Sequence, residues 1–525
     1  MQRQTTAPTS CAVPARHRAV RPESDIDFPR ALVLTTLGAV LPGVTFLAAG
    51  RRWLGSAIAT SCLVLVGTGV WLGTSGRAVA LHAAVNPTML LRLGVVLLIL
   101  ALLWIIVVAF GYHVVRPLHL TGAQRATGAV VVSLLCIAGA MPAMAGARYA
   151  FVQRDLISTV FAGDTKSATV PSHISKADPW QSRSRVNLLL LGSDAGAGRV
   201  GARTDSVIVA SIDTRTGNTL LFSLPRSLER LPFPRGPLRD AYPKGFRAPG
   251  DEGEQLLNAV YGTVPAMHPH ILGPTDNLGA DVLKLGVGEA LGLKIDYYVM
   301  INLEGFAQLV NSLGGVTVNI NSWVAIGGAT DGHHLPDDWL APGENRHLDG
   351  VDALWFARGR FGTTDYDRMK RQRCVIKAII DTADPVKVLT RYQQLARATK
   401  NIVRTDIPQP LLEAFVDLSM RIKGGTSRSI VFDNTVINAA DPDYDLIRSK
   451  VRKAFGTSVP GTPASPAASP RPGTSAPSTP APSTSASLVP QVPGQAESLA
   501  TSCAYDPLAA EKALQQGKPP TKQQR

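Results

Sequence analysis

Between residues 31 and 145 the chain runs through four apolar segments, at 31–50, 54–73, 93–112 and 126–145. Each has about the twenty residues that a helix needs to cross roughly 30 Å of hydrocarbon. A backbone in lipid must satisfy its own hydrogen bonds, so these segments predict a bundle of about four transmembrane helices, preceded by a basic, disordered tail at 1–30. Only Arg51, Arg52 and Trp53 join the first two, and Pro42 with Gly43 interrupts the leading one. A cleavable signal peptide does not account for an apolar run that starts so late and is followed by three more.

Orientation is read from the cations. With Arg51 and Arg52 cytoplasmic, the loop 115–125 with Arg116 and Arg125 is cytoplasmic too, and everything after residue 145 lies outside the cell. Arg16, Arg18, Arg21 and Arg30 pull the other way, unless the proline-broken first pair is re-entrant or spans only once. The expectation is a multi-pass protein of the cell membrane with an extracellular C-terminal part.

Composition shifts along the 525 residues. The hydrophobic excess sits in the first 150, and most of the Pro, Ser and Thr surplus follows Gly456. A net charge of +14 favours partners rich in phosphate, or an anionic membrane surface. Five cysteines show neither C-x-x-C spacing nor a Cys/His pattern suited to zinc. Cys374 and Cys503 could meet outside the cell, but the sequence favours a lone buried thiol at Cys374.

After a juxtamembrane linker at 146–184, two short Val/Ile/Leu-rich runs, 186–191 and 206–212, read as buried strands bounded by Gly and Asp. Asp194 leaves the first and Asp205 enters the second, so the loop between them brings two carboxylates, with Arg199 and Arg203, to one sheet edge. Such an edge suits a divalent cation and a phosphate, although Asp and Gly after a strand are also ordinary turn chemistry. Gly196, Gly198 and Gly201 spell G-x-G-x-x-G here, but a dinucleotide site needs a helix to open at the last glycine, and a strand follows instead.

The run 206–212 pairs with 219–224 through the turn 213–218 as an antiparallel hairpin, and 231–253, full of Pro, Gly and Arg, reads as a loop. Thr275 or Asp276 caps a helix reaching about Leu291. Strand 297–301, helix 303–313, the Gly314-Gly315 turn and strand 316–320 form a β-α-β unit, and helices follow at 351–357 and 367–383. This alternation implies an α/β fold, an external α-β-α domain with a mixed central sheet, preceded by the transmembrane bundle. On the last helix Arg368, Arg371 and Gln372 share one face, while Val375, Ile376, Ile379 and Ile380 face the core. With Arg358, Arg360, Asp365 and Asp367 just upstream, this is a second cluster of cations and carboxylates, although a solvated charged face is the commoner meaning of such a run.

In order along the chain, Leu191-Gly192-Ser193-Asp194, Arg203-Thr204-Asp205-Ser206, Ser223-Leu224-Pro225-Arg226, Asn258-Ala259-Val260-Tyr261, Ile295-Asp296-Tyr297-Tyr298, Asn302-Leu303-Glu304-Gly305-Phe306, Leu313-Gly314-Gly315-Val316, Leu348-Asp349-Gly350, Ala357-Arg358-Gly359-Arg360 and Asp365 through Arg368 to Arg371-Gln372 together resemble the LytR-CpsA-Psr family of cell-envelope proteins. The resemblance covers roughly 185–382, taken as the catalytic domain, and more weakly 383–455, taken as its helical C-terminal part. It implies a membrane-anchored phosphotransferase that moves a glycan 1-phosphate from a polyprenyl pyrophosphate carrier to a peptidoglycan hydroxyl. The older view of the family as non-catalytic regulators, or as binders of the lipid carrier, is the alternative.

By this resemblance Asp194 and Asp205 match the carboxylates associated with Mg²⁺. Arg203, Arg226, Arg358, Arg360, Arg368 and Arg371, with Gln372, fall where the family binds pyrophosphate. Asp205, Arg226 and Asp365 are implied as the catalytic group, with Asp365 a candidate base. The chain departs from the family pattern at Ala195-Gly196-Ala197, where an arginine is usual, at Ser227 for an aspartate, and at Leu256 for a lysine. Chemistry supports the same assignment. Phosphoryl transfer is catalysed mainly by positioning and charge neutralisation, and the planar guanidinium grips two phosphate oxygens at once. Magnesium is content with one or two carboxylates plus phosphate oxygens and water.

The tract 456–525, rich in Pro, Ser, Thr and Ala, is expected to be a disordered tail, apart from a short helical patch at 506–516. No helix-turn-helix pattern is present, so nucleic acid is not an expected partner. The expected partners are the carrier-linked glycan, peptidoglycan and the membrane.

Overall fold

The computed structural model describes residues 27–161, 166–170, 178–194, 203–329, 334–383, 403–456 and 493–522. Most of the N-terminal tail, the glycine loop 195–202 with Arg199, and most of the Pro-rich tract lie outside the described residues. The chain divides into two units, Met1–Arg77 with Arg92–Ala150, and Ala78–Leu91 with Phe151–Arg525.

The helices of the N-terminal part are α1 (Phe28–Val40), α2 (Val44–Ala48), α3 (Arg52–Gly73), α4 (Arg77–Val85), α5 (Pro87–Val115) and α6 (Gly122–Val160). Among the described residues three of them, α3, α5 and α6, are long and apolar enough to cross a membrane, rather than the four expected. The first apolar segment fails as a single span. Pro42 has no N–H to continue the ladder, and Gly43 turns the chain at φ 102°, leaving pieces of 13 and 5 residues. Leu63 on α3 is 73% exposed and Leu102 on α5 is 58% exposed, surfaces suited to lipid. α6 runs 39 residues, so the first part of the expected linker is helix.

The second unit is built on a seven-stranded mixed sheet in the order β11-β10-β3-β2-β1-β4-β9. Its strands are β1 (Arg185–Ser193), β2 (Thr204–Asp213), β3 (Thr219–Leu224), β4 (Tyr297–Asn302), β9 (Val403–Thr405), β10 (Ser427–Val431) and β11 (Glu497–Ser498). β1, β2 and β3 are antiparallel neighbours, while β4 lies parallel to β1 and β10 parallel to β3. Two short antiparallel pairs, β5 (Val316–Ile320) with β8 (Gly343–Leu348) and β6 (Val324–Gly327) with β7 (Pro336–Leu340), stand apart as two-stranded sheets. The expected β-α-β unit is therefore corrected: its second strand pairs with β8, not with the central sheet.

Side chains alternate across the strands, and that alternation sets the layers. Val207 and Val209 of β2, Phe222 of β3 and Ile430 of β10 pack in one core with Val282, Leu283 and Val287 of α9 (Leu278–Leu291), together with α8 (Val260–Met267) and the loop after β3. The opposite face, carrying Ser206 and Ser429, meets α12 (Asp365–Thr382) through Gln372 and Arg373. α12 packs in turn with α11 (Gly350–Arg358) and α10 (Leu303–Leu313) over a second core that includes Val310, Phe356 and Val375. The result is the expected α-β-α arrangement around a mixed sheet. α7 is a short turn, Pro237–Ala241.

Three expectations for the C-terminal part are corrected. The stretch 383–455 adds β9 and β10 to the central sheet besides its helices Leu412–Gly424 and Tyr444–Gly456. The helical patch expected at 506–516 is present as Pro507–Gln515, but more of the tail's end is ordered than expected, since β11 extends the sheet beside β10. Cys374 is not a lone thiol but is bonded to Cys503, which fastens this tail to α12. Glu497 reinforces the attachment by pairing with Arg373 at 3.1 Å. A paired cysteine cannot be told from a buried free one by spacing when its partner lies 129 residues away.

Candidate active site

The topology brings the predicted acids and arginines to one edge. β1 ends at Ser193 opposite Thr204, where β2 begins, and Leu224 at the end of β3 pairs with Val207. Asp194, Asp205 and Arg226 consequently sit at neighbouring strand ends. The N-terminus of α12 is placed beside them by a capping box, in which the Thr364 hydroxyl accepts from the Asp367 N–H and the Asp367 carboxylate accepts from the Thr364 N–H.

Arg226 links the two acids of the cluster. Its Nη1 donates to Asp205 Oδ1 at 2.8 Å, and its Nε lies 3.3 Å from Asp365 Oδ1. Arg368 Nη2 and Arg360 Nη1 also reach Asp365 Oδ1, at 3.0 and 3.4 Å. Three guanidiniums thus meet around one carboxylate. So engaged, Asp365 is placed to organise the arginines rather than to take a proton as a free base.

Burial works against the charge on Asp205. The hydrogen bond and charge of Arg226, the Asn258 amide and the nearby Arg368 outweigh it, and hold the carboxyl below its usual range. Burial lowers the Arg368 pKa, with Asp365 opposing that shift. Arg368 is only 4% exposed, and its Nε–H has no hydrogen-bond partner among the described residues. A buried charged donor left unspent is costly, and it is the natural complement of an oxyanion.

The other predicted residues are distributed differently. Gln372 reaches the neighbour of Asp205, donating to Ser206 Oγ at 2.8 Å. Arg203 donates its backbone N–H to Asp194 Oδ1 at 3.0 Å, while its guanidinium turns to Glu254 and the Gly253 carbonyl. The Arg358 guanidinium lies over the Trp355 ring, 5.1 Å from its centre. Arg371 donates to the carbonyls of Phe356 and Gly359 and so closes the C-terminal end of α11. Burial pushes the Arg371 guanidinium down to about 10, with Asp367 opposing and Arg368 adding to the shift, which still leaves it charged at neutral pH.

Two participants were not assigned from sequence. Asn258 is 3% exposed and donates to Asp205 Oδ1 at 3.3 Å, while its own Oδ1 is buried without a partner among the described residues. Its motif piece was visible, but an amide carries no charge pattern to reveal a role. Glu254, the partner of Arg203, lies in a single 3-10 turn, Glu252–Gln255, beside other acids, with nothing in the sequence to single it out. Two of the three departures from the family pattern, Ser227 and Leu256, line one cleft beside the cluster.

No group of three or more His, Cys, Asp or Glu suited to a metal occurs among the described residues. Asp194 and Asp205 stand at neighbouring strand ends, and Asn258 carries an amide oxygen without a partner among the described residues; all are oxygen donors, the type magnesium takes together with phosphate oxygens and water.

The LytR_cpsA_psr family model matches residues 157–440, more than half of the chain. The chain belongs to the LytR-CpsA-Psr family. It is 30% identical over 240 residues to the polyisoprenyl-teichoic acid–peptidoglycan teichoic acid transferase TagU of Oceanobacillus iheyensis, a match covering 45% of this chain and 63% of that one. It is 31% identical over 237 residues to the TagU of Enterococcus faecalis, covering 43% and 65%. The chain thus spans less than two thirds of the length of these LytR-CpsA-Psr relatives. The crystal structure of B. subtilis TagV is 23% identical with a TM-score of 0.36, covering 52% of this chain and 96% of that one.

Proposed function

We propose that this protein is a membrane-anchored phosphotransferase of the outer cell surface that moves a glycan 1-phosphate from a polyprenyl pyrophosphate carrier to a hydroxyl of peptidoglycan. The observation that supports it most directly is the convergence of Arg226, Arg360 and Arg368 on Asp365, with a buried, unspent N–H on Arg368. The transferase names of the relatives agree with this reading. So do the three apolar helices, since a domain tethered to the bilayer meets its lipid substrate at high effective concentration.

In the proposed reaction the acceptor oxygen attacks the phosphorus that carries the glycan. The bond from that phosphorus to the bridging oxygen breaks, and polyprenyl phosphate leaves with the proton the hydroxyl gives up. Arg226, Arg360 and Arg368 bind the pyrophosphate oxygens and offset the charge that gathers on the leaving phosphate. Asp365 holds these side chains in register before substrate arrives, and Gln372 with Asn258 fixes the start of β2. A magnesium ion held by Asp194 and Asp205 would supply further neutralisation of the diphosphate. Arg371 and Arg203 contribute as positioning residues, through α11 and through the Asp194 loop.

The test uses the full chain in nanodiscs with a carrier-linked glycan, peptidoglycan oligosaccharides and Mg²⁺, following release of polyprenyl phosphate. Release that is abolished by Asp205→Asn and by EDTA, and recovered when Mg²⁺ is returned, is the expected result. Lipid that binds without ever turning over would make the chain a carrier-binding protein instead.

A further inference from the structure

Beside the arginine cluster the second unit opens into a cleft of about 440 Å³, within the range of roughly 300–1,000 Å³ typical of small-ligand sites. Its position follows from the chain. Ser227 comes directly after Arg226 and Tyr366 directly after Asp365, so the cleft begins one residue beyond each partner of the Arg226–Asp365 pair.

The lining is polar but holds no Lys or Arg among the described residues. The Glu229 carboxylate, the hydroxyls of Ser227 and Tyr366 and the side-chain amide of Asn434 form no hydrogen bond or ion pair among the described residues. Asn438 spends its Oδ1 on the Ala440 N–H at 3.1 Å and keeps its NH₂ group. A phosphate or carboxylate has nothing here to neutralise it and meets Glu229 instead, so an anionic ligand is disfavoured. What remains is a set of mixed donors and acceptors next to the Tyr366 ring and the Leu256 side chain. That combination suits a molecule with hydroxyls around its edge and C–H groups on its face.

We propose that this cleft is a saccharide subsite for one uncharged pyranose ring, with the hydroxyl edge held by Glu229, Ser227, Asn434 and Asn438 and the C–H face laid on Tyr366 and Leu256. The inference rests on the phosphotransferase reading only for the source of the sugar. In that reaction the ring belongs either to the donor glycan or to the acceptor, and both present the same chemistry.

The experiment keeps the two readings separate. Saturation-transfer NMR on the full chain in nanodiscs is run with the N-acetylglucosamine dimer as the saccharide probe, and inorganic pyrophosphate is titrated as the probe of the arginine cluster. Ala439→Trp fills the cleft, and Asn434→Ala removes an exposed amide without a partner, a change that folding tolerates. The expected result is transfer to the sugar ring protons in the wild type, abolished by Ala439→Trp and weakened about tenfold by Asn434→Ala, the loss of about one hydrogen bond. Pyrophosphate binding stays unchanged in both variants.

Sugar binding that is indifferent to Asn434→Ala, or absent from a wild type that still binds pyrophosphate, overturns the subsite. Failure to bind pyrophosphate, with sugar binding intact, counts against the phosphotransferase reading alone. In turnover assays the variants are expected to raise KM for one saccharide substrate with kcat unchanged, and the substrate affected identifies the source. A KM that moves for neither overturns the proposal.

Discussion

Arg226 touches both acids of the cluster at once, Asp205 through Nη1 and Asp365 through Nε. Only a planar fork can do this, because a lysine ammonium is a single compact charge on a flexible stem. Arg226→Lys is therefore expected to lower kcat for polyprenyl phosphate release by about 10²–10³-fold, as for loss of an oriented donor, with the far-UV CD spectrum unchanged. Asp205 carries a second expectation. Its folded pKa is depressed, so the stability it contributes is present above the ordinary carboxylate value of about 3.9 and is lost as pH falls through the folded value. Urea melts of the wild type and Asp205→Asn from pH 7 to 3 should differ by a constant amount down to about pH 4 and converge below it. The members of this cluster were legible because each sits in a short motif with a charge at a strand or helix end. Arg371 was not. It shares the face of Arg368 at i, i+3, yet nothing local reveals that its partners are the carbonyls of Phe356 and Gly359.

At the scale of elements, the strands and helices with a clear apolar period were readable almost to the residue: β3, α10 and β5 fall where the sequence places them. The ones missed lack that period. β8 reads Gly-Glu-Asn-Arg-His-Leu and is largely exposed, and β9 and β11 are too short to show any alternation. They exist because partners elsewhere offer an edge, information no local window contains. α12 shows how an element carries the site. Its capping box holds Asp365 and Arg368 in the first turn, so Thr364→Ala should cost about 1 kcal/mol of stability and also reduce kcat, as measured by thermal melts beside turnover. The buried Lys284–Asp406 pair, at 2.5 Å, ties α9 to the end of β9, with Asp406 also accepting from the Tyr298 N–H and Lys284 donating to the Asp296 carbonyl. Lys284→Met leaves a carboxylate buried and should destabilise the chain by about 3–5 kcal/mol. Combining it with Asp406→Leu should recover part of that loss in the same denaturant melts.

For the second unit as a whole, the decisive long-range tie is the return of the C-terminal tail. β11 adds to the sheet beside β10, and Cys503 bonds to Cys374 one turn beyond Arg371 and Gln372, while Trp323 Nε1 donates to the Ala513 carbonyl and Lys522 pairs with Asp337. The tail thus fastens the helix carrying the site to the sheet on one side and to the small two-stranded sheets on the other. Closing so long a loop removes much of the unfolded chain's freedom, about 3–5 kcal/mol in the chain-entropy account. Cys503→Ser, or a reductant acting on the wild type, is therefore expected to lower Tm by several degrees. Two effects should then separate. If the tail only stabilises, turnover well below Tm stays at the wild-type level. Because Arg373 of α12 is held by Glu497 of the same tail at 3.1 Å, the register of Arg368 and Gln372 depends on that attachment. The expected outcome is a fall in kcat at low temperature for Cys503→Ser, with Glu497→Ala giving a smaller fall in the same direction and leaving the disulfide intact.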